Sequence, residues 1–339
     1  MLCRRPTRCH GVLADARAAH DLYADPVDRP FDVTAGVADD EVLLRDVGPR
    51  DGLQAISQDV ALTTKIAMAN GLVDAGLRRV EAGSFVSPKA VPRMADSRQV
   101  FDAMPTDGVA REALVVNERG VHAALAAGVD VVVGVISASD TFSQRNVRMS
   151  TGDAISELGE IAQVAAGAGV PVSVDLSAAF GCAFEGPVPA SVVAETAAQI
   201  AGAGAFEIVL ADTIGAAAPN DIEVVVGAVR AVVGDDVALG LHLHDTRGLA
   251  LANAMAGLDV GIRRFDASVG GLGGCPFSPG ATGNVCTEDL VHLFQALGMS
   301  TGIDLERLIG VAAMVEDELG ISLPSRMLRA GPRFARTAS

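Results

Sequence analysis

From Glu41 onward the chain repeats one pattern: a short run rich in Val, Ile or Leu, a loop containing Gly or Pro, then an Ala-rich amphipathic segment. The repeat predicts strands at Val42–Asp46, Arg79–Ala82, Ala113–Val116, Asp130–Ile136, Val170–Leu176, Phe206–Ala211, Val237–His242 and Arg264–Ser268. It predicts helices at Leu62–Ala75, Ser97–Ala103, Glu118–Ala127, Ala154–Ala168, Ala190–Ala203, Asn220–Val233, Leu249–Leu258 and Val285–Leu297, with a further one near Leu305–Leu319. Eight β/α units without a break in composition fit a closed parallel (β/α)8 TIM barrel with an extra C-terminal helix better than an open doubly wound sheet. The Gly-rich dinucleotide fingerprint is also missing after the first strand.

Residues 1–40 show no sustained apolar period and are expected to form a weakly ordered extension, with the catalytic barrel over 41–325 and a tail over 326–339. Asp15, Asp21, Asp25 and Asp28 argue against a transit peptide, which is poor in acids. No apolar run approaches the roughly 20 residues of a membrane span, so no membrane partner is expected. The formal net charge of −16, with no Lys/Arg cluster beyond the first few residues, argues against nucleic acid as a partner. Five scattered cysteines form neither a disulfide rhythm nor a zinc pattern and indicate a reducing compartment; we expect a cytoplasmic enzyme, assembled as a homodimer.

A barrel makes a claim about chemistry, because its reactive residues come from the loops after the strands. His242 and His244 stand at i and i+2 where an apolar strand ends, so they share a face, and paired imidazoles there point to a metal site. A packed core histidine is the bland alternative for either one alone. Asp51, in the Gly/Pro-bounded turn after the first strand, offers a hard carboxylate as third ligand, and Asn284 an amide oxygen as fourth. Taken alone, Pro-Arg-Asp-Gly is also ordinary turn chemistry. This donor set suits Mg2+ or Mn2+, with Zn2+ a further fit, acting as a Lewis acid on a substrate hydroxyl and carbonyl.

Arg50 would place positive charge where an enolate oxygen develops. Glu81, closing the second strand, could accept a proton or hold that guanidinium, a structural ion pair being the alternative. Cys275 follows four glycines and precedes a proline, the setting of an exposed thiol on a closing loop rather than of a buried one. Asp212 follows the sixth strand in an Ala-Asp-Thr-Ile-Gly segment, with a similar choice between substrate and structural roles. Cys182, following Phe180–Gly181 after the fifth strand, is a weaker thiol candidate, Cys286 is read as incidental, and His122 and His292 as surface or packing residues.

Five segments carry a resemblance to a known family: Val47–Gln54, Glu81–Pro88, Ala211–Gly215, His242–Gly248 and the glycine-rich stretch Gly270–Leu290. They resemble the 3-hydroxy-3-methylglutaryl-CoA lyases, metal-dependent TIM-barrel lyases related to Claisen-type synthases. The resemblance implies cleavage of a 3-hydroxyacyl-CoA to acetyl-CoA and a keto product. It implies a divalent metal on Asp51, His242, His244 and Asn284, with Asp51 and His242 also at the reacting atoms. Arg50 would stabilise the enolate, Cys275 would act as an acid/base group over the site, and Glu81 would support proton movement. Gln54 and Asp212 belong to the matched motifs and are expected at the substrate.

The chain departs from the lyases on its fifth strand, where Ser173 and Asp175 stand in place of an Arg and a Tyr, and at Ala90, where a Trp is usual. Ser173 and Asp175, two apart, are expected to face the acyl group together and to alter its selection. A condensing synthase of the same superfamily is the competing enzymatic reading, disfavoured by Cys275 and by His-Xaa-His-Asp in place of the synthases' His-Xaa-His-Asn. A non-catalytic CoA- or metal-binding relative is the third reading, and the complete ligand set counts against it.

Overall fold

The computed structural model describes residues 30–274 and 283–333. Eight strands close a parallel barrel in sequence order: β1 (Leu43–Asp46), β2 (Arg79–Ser84), β3 (Ala110–Leu114), β4 (Val131–Ser137), β5 (Val172–Ser177), β6 (Glu207–Asp212), β7 (Ala238–Leu243) and β8 (Arg264–Ala267). The ring is sealed by β1 against β8, with Leu43 opposite Arg264 and Asp46 opposite Ala267. Helices return the chain between strands: α1 (Leu53–Ala55), α2 (Leu62–Asp74), α3 (Ser97–Ala103), α4 (Glu118–Ala126), α5 (Asp140–Asn146), α6 (Thr151–Gly167), α7 (Ala190–Gly202), α8 (Pro219–Val233), α9 (Ala250–Asp259) and α10 (Thr287–Ala296). Beyond them lie α11 (Leu305–Leu319) and α12 (Arg326–Ala330). No helix among the described residues is long and apolar enough to cross a membrane.

Local chemistry starts these helices where the sequence places its caps. Asn117 accepts from Gly120 N at 2.9 Å to cap α4, Ser139 from Phe142 N at 3.1 Å to cap α5, and Ser150 from Asp153 N at 3.1 Å to cap α6. Pro219 opens α8, where its missing N–H costs nothing. The third strand begins three residues before its predicted start and ends two before its predicted end, because Arg111 and Glu112 turned the apolar pattern away from it. The short helix α5 was also absent from the sequence reading.

Outward strand residues such as Leu44, Val80, Val174, Ile208, Leu241 and Phe265 pack under the helices in one continuous core. The barrel interior is different in kind. TIM barrels ordinarily fill it with layers of branched apolar side chains, whereas here Arg45, Arg79, Glu112, Glu207, Arg264 and Asp266 meet as buried ion pairs. Burying charge is tolerated only with full pairing. Glu207 accordingly sits among Arg79, Arg264 and Arg45, whose charges outweigh its burial and hold its carboxyl down at about 2.

The base of the barrel draws on the segment expected to be a weakly ordered extension. Phe31 and Val33 pack against Ala110, Val131 and Phe206, and Arg264 Nη2 donates to Val33 O at 3.0 Å and Ala35 O at 2.7 Å. Within the described residues that segment thus belongs to the barrel from residue 30. At the other end α12 buries Met327 and is tied by Asp289, which accepts from Met327 N at 2.9 Å, so ordered structure continues past the expected boundary at 325.

Candidate active site

The C-terminal mouth is built first by β1 and the turn after it. Val47 O accepts from Arg50 N at 3.2 Å, Asp51 N at 2.7 Å and Gly52 N at 3.3 Å, winding Gly48–Gly52 into a single π-helical turn. Single π-helical turns are frequent at functional sites. Gly48 sits in a crowded place: a Cβ there would stand 2.7 Å from Met68 Cε and 2.8 Å from Asp46 Oδ1, so those side chains would have to shift. The turn presents Arg50 and Asp51 side by side over the barrel axis.

Arg50 is buried and ringed by carboxylates. Its Nη1 lies 2.9 Å from Asp51 Oδ1, and its Nη2 lies 2.7 Å from Glu81 Oε2 and 3.7 Å from Asp175 Oδ2. Burial alone would lower its pKa, but the charges of Glu81 and Asp51 raise it above the ordinary value, so it is a permanent cation. Its Nε has no hydrogen-bond partner among the described residues. Glu81, at the inner face of β2, is fully buried, and burial pushes its carboxyl up to about 7 despite Arg50 and Arg45.

β7 delivers the two histidines. His242 Nδ1 faces Asp266 Oδ2 at 3.1 Å, and its Nε2 meets His244 Nε2 at 3.2 Å. Asp51, His242 and His244 each offer one ligand atom, and these atoms lie within 4.8 Å of one another. Burial, reinforced by His242, lowers the His244 pKa to about 4. For Asp51 burial acts upward, but Arg50, the imidazoles and a hydrogen bond from Asn284 keep its pKa below the usual carboxylate value. Asn284 bridges back to His244 across the chain, donates Nδ2 to Asp51 Oδ2 at 2.8 Å and to Leu272 O at 3.0 Å, and leaves its buried Oδ1 without a partner among the described residues. Two convergent imidazole nitrogens, an ionised carboxylate and an orphaned amide oxygen form a donor set that fits a divalent cation.

Arg50, Asp51, His242 and His244 line a cavity of about 160 Å³, walled also by Gln54, Leu114, Val135, Phe142, Asn146, Asp175, Ser177, Thr213 and Gly274. The buried Oε1 of Gln54 has no hydrogen-bond partner among the described residues. Two expected substrate residues stand elsewhere. Ser173 is completely buried, donates to Glu207 Oε2 at 2.7 Å and does not line the cavity. Two residues of strand advance about 6.6 Å, so sharing a face with Asp175 leaves Ser173 one layer below the mouth. Asp212 is spent on its own loop, accepting from Ala216 N at 2.8 Å and Ala217 N at 3.0 Å, while its neighbours Ala211 and Thr213 line the cavity. Cys275 lies outside the described residues.

Asp175 does reach the cavity, but its Oδ1 is 2.6 Å from Arg45 Nη2. Arg45 and Asp266 had gone unnoticed in the sequence. Their signal was present: charged residues at inward positions of strands that have no solvent face, with Arg264 and Asp266 at i and i+2.

A closed parallel barrel gathering a paired arginine, a poised carboxyl and a cation-fitting triad at its C-terminal mouth defines a (β/α)8-barrel enzyme. The chain belongs to the HMGL-like family, whose sequence profile matches residues 41–315. It is 42% identical over 282 residues to the hydroxymethylglutaryl-CoA lyase of Pseudomonas mevalonii, covering 83% of this chain and 93% of that protein. It is 40% identical over 309 residues to the (R)-citramalyl-CoA lyase of Chloroflexus aurantiacus, covering 88% and 97% respectively. A solved HMG-CoA lyase from Acenitobacter baumannii, in complex with coenzyme A and 3-methylmalate, superposes with a TM-score of 0.84 at 37% identity, covering 90% of this chain and all of that one. The protein is thus a carbon–carbon lyase of the hydroxymethylglutaryl-CoA lyase type.

Proposed function

We propose that the protein cleaves 3-hydroxy-3-methylglutaryl-CoA or a related 3-hydroxyacyl-CoA to acetyl-CoA and a keto product, with a divalent metal at the mouth. The observation that carries this reading is the convergence of Arg50, Asp51, His242 and His244 on one cavity. Asp51, His242, His244 and Asn284 would hold Mg2+ or Mn2+, and the bound ion would supply Lewis-acid polarisation of the substrate hydroxyl and carbonyl.

In the reaction the 3-hydroxyl loses its proton, the bond between C2 and C3 breaks, and its electron pair passes to an enolate of acetyl-CoA, which is then protonated at C2. Arg50 is held by Asp51 and Glu81 with its Nε–H unpartnered among the described residues, which suits it to receive the enolate oxygen. Asp51 and His242, both lining the cavity, would border the hydroxyl and take up its proton. Glu81, poised near neutrality, can hold or release a proton beside Arg50, and Cys275, outside the described residues, would supply the protonation at C2.

Similar identity to an HMG-CoA lyase and to a citramalyl-CoA lyase leaves the acyl group to the cavity itself. Among the described residues Arg50 is the only Arg or Lys lining it, and it is already shared among three carboxylates. This supports a thioester without a distal carboxylate, or with a different branch, over the glutaryl form. Acetyl-CoA release from a panel of 3-hydroxyacyl-CoA thioesters, with Mg2+ or Mn2+ and with excess chelator, tests the reading. Metal-dependent cleavage of at least one member is expected; no cleavage across the panel, or full activity in chelator, would overturn it.

A further inference from the structure

Arg45 lies below the proposed metal site, 1% exposed, and touches none of its ligands directly. Its guanidinium grips Asp266 with two nitrogens, Nε at 2.8 Å from Oδ1 and Nη2 on Oδ2. The same Nη2 lies 2.6 Å from Asp175 Oδ1, and Nη1 lies 3.3 Å from Glu112 Oε2. A two-nitrogen fork fixes a carboxylate in rotation as well as position. The consequence travels one bond further, because Asp266 Oδ2 is the partner of His242 Nδ1. With Nδ1 engaged below, the opposite nitrogen, Nε2, is turned toward His244 and Asp51.

We propose that Arg45 is a positioning residue for the metal site, holding Asp266 so that His242 presents Nε2 to the cation; the proposal rests on the metal reading above. Partners one step behind a ligating histidine set its ring orientation, and their loss costs roughly 10–100-fold in metal affinity. Lysine cannot replace the fork, since a single ammonium holds a carboxylate at one point and leaves it free to rotate. Arg79 supplies an internal comparison. It is as deeply buried, and it pairs with Glu112 and Glu207 but with neither Asp266 nor Asp175.

The experiment measures Mn2+ affinity by calorimetry for the full-length wild type, Arg45→Lys, Arg45→Met and Arg79→Met, with folding checked by circular dichroism. Both Arg45 variants are expected to bind Mn2+ about 10-fold to 100-fold more weakly, while Arg79→Met lowers the melting temperature and binds Mn2+ as the wild type does. Arg45→Lys keeps the buried charge and carries the test if Arg45→Met does not fold. Wild-type affinity in a folded Arg45 variant overturns the proposal, as does equal weakening by Arg79→Met. A wild type that binds no Mn2+ overturns the metal reading itself, so the two failures are distinguishable.

Discussion

Arg50 and Glu81 meet at 2.7 Å at the top of the barrel, joining the turn after β1 to the inner face of β2. The pair leaves Arg50 charged and aimed, yet with one N–H unspent among the described residues. If that N–H is used on an enolate, its contribution exists only in the transition state. Arg50→Gln is then expected to lower kcat by about 100-fold or more with little change in KM. Steady-state kinetics decide the point, because a change confined to KM would make Arg50 a thioester-binding residue only.

The facing Nε2 atoms of His242 and His244 lead to a second expectation. Chelation should abolish cleavage, and His244→Ala should lose tightly bound metal while keeping its fold, since His244 Nδ1 makes no hydrogen bond within the described residues. Metal content after dialysis, measured beside the circular dichroism spectrum, checks this. A His244→Ala protein that retains stoichiometric metal would remove His244 from the ligand set.

Glu288, at the start of α10, makes stability depend on pH. Burial pushes its carboxyl up to about 7 although Gly270 N approaches its two oxygens at 3.0 and 3.1 Å. A raised pKa means that the folded state keeps a proton the unfolded chain gives up, so this contribution is full below about pH 4.5 and is lost as pH rises through about 7. The slope from one such group is at most about 1.4 kcal/mol per pH unit. Glu288→Gln keeps an oxygen for Gly270 N and should flatten the decline of unfolding free energy between pH 5 and 7.5, by about that amount per unit. An unchanged profile in denaturant titrations would mean that Glu288 ionises as it would in water.

The barrel was legible because its strands are buried on both faces and its helices are amphipathic, so the two periods alternate clearly along the chain. The His242 and His244 pair and the Arg50–Asp51 turn were legible because spacing alone places them on one rim. Depth within the barrel was not. Ser173 and Asp175 share a face by period, but the layer each occupies is set by strand register, with Asp175 level with Val209 and Ser173 level with Glu207 on β6. Nor does a sequence show that Arg45 on β1 and Asp266 on β8 are neighbours, since 221 residues separate them and only closure of the barrel joins them.

That same closure changes the account of specificity. The resemblance noted in the sequence implies an aromatic hydroxyl at the position of Asp175, and an isolated acid there would repel a distal carboxylate on the substrate. In the folded protein Arg45 stands 2.6 Å from one of its oxygens and Arg50 3.7 Å from the other, so its charge is largely answered and Arg50 is partly drawn away from the substrate. The cost to a glutaryl thioester then comes mainly from the missing cation. Losing one charge-assisted hydrogen bond is worth about 1.5–3 kcal/mol, or roughly 10- to 150-fold in kcat/KM. Wild-type cleavage of 3-hydroxy-3-methylglutaryl-CoA is accordingly expected to be slower by such a factor than cleavage of a 3-hydroxyacyl-CoA without the distal carboxylate. Asp175→Asn removes the negative charge and leaves Arg45 with Asp266 and Glu112 as partners. It should raise kcat/KM for the glutaryl thioester about 3- to 10-fold, the share of that cost that freeing Arg50 can restore, and leave the other substrate within about 2-fold, where no charge is left to gain. Measuring both substrates on both proteins decides the matter: efficient wild-type turnover of the glutaryl thioester, unaffected by Asp175→Asn, would show that the fifth strand does not set the acyl preference.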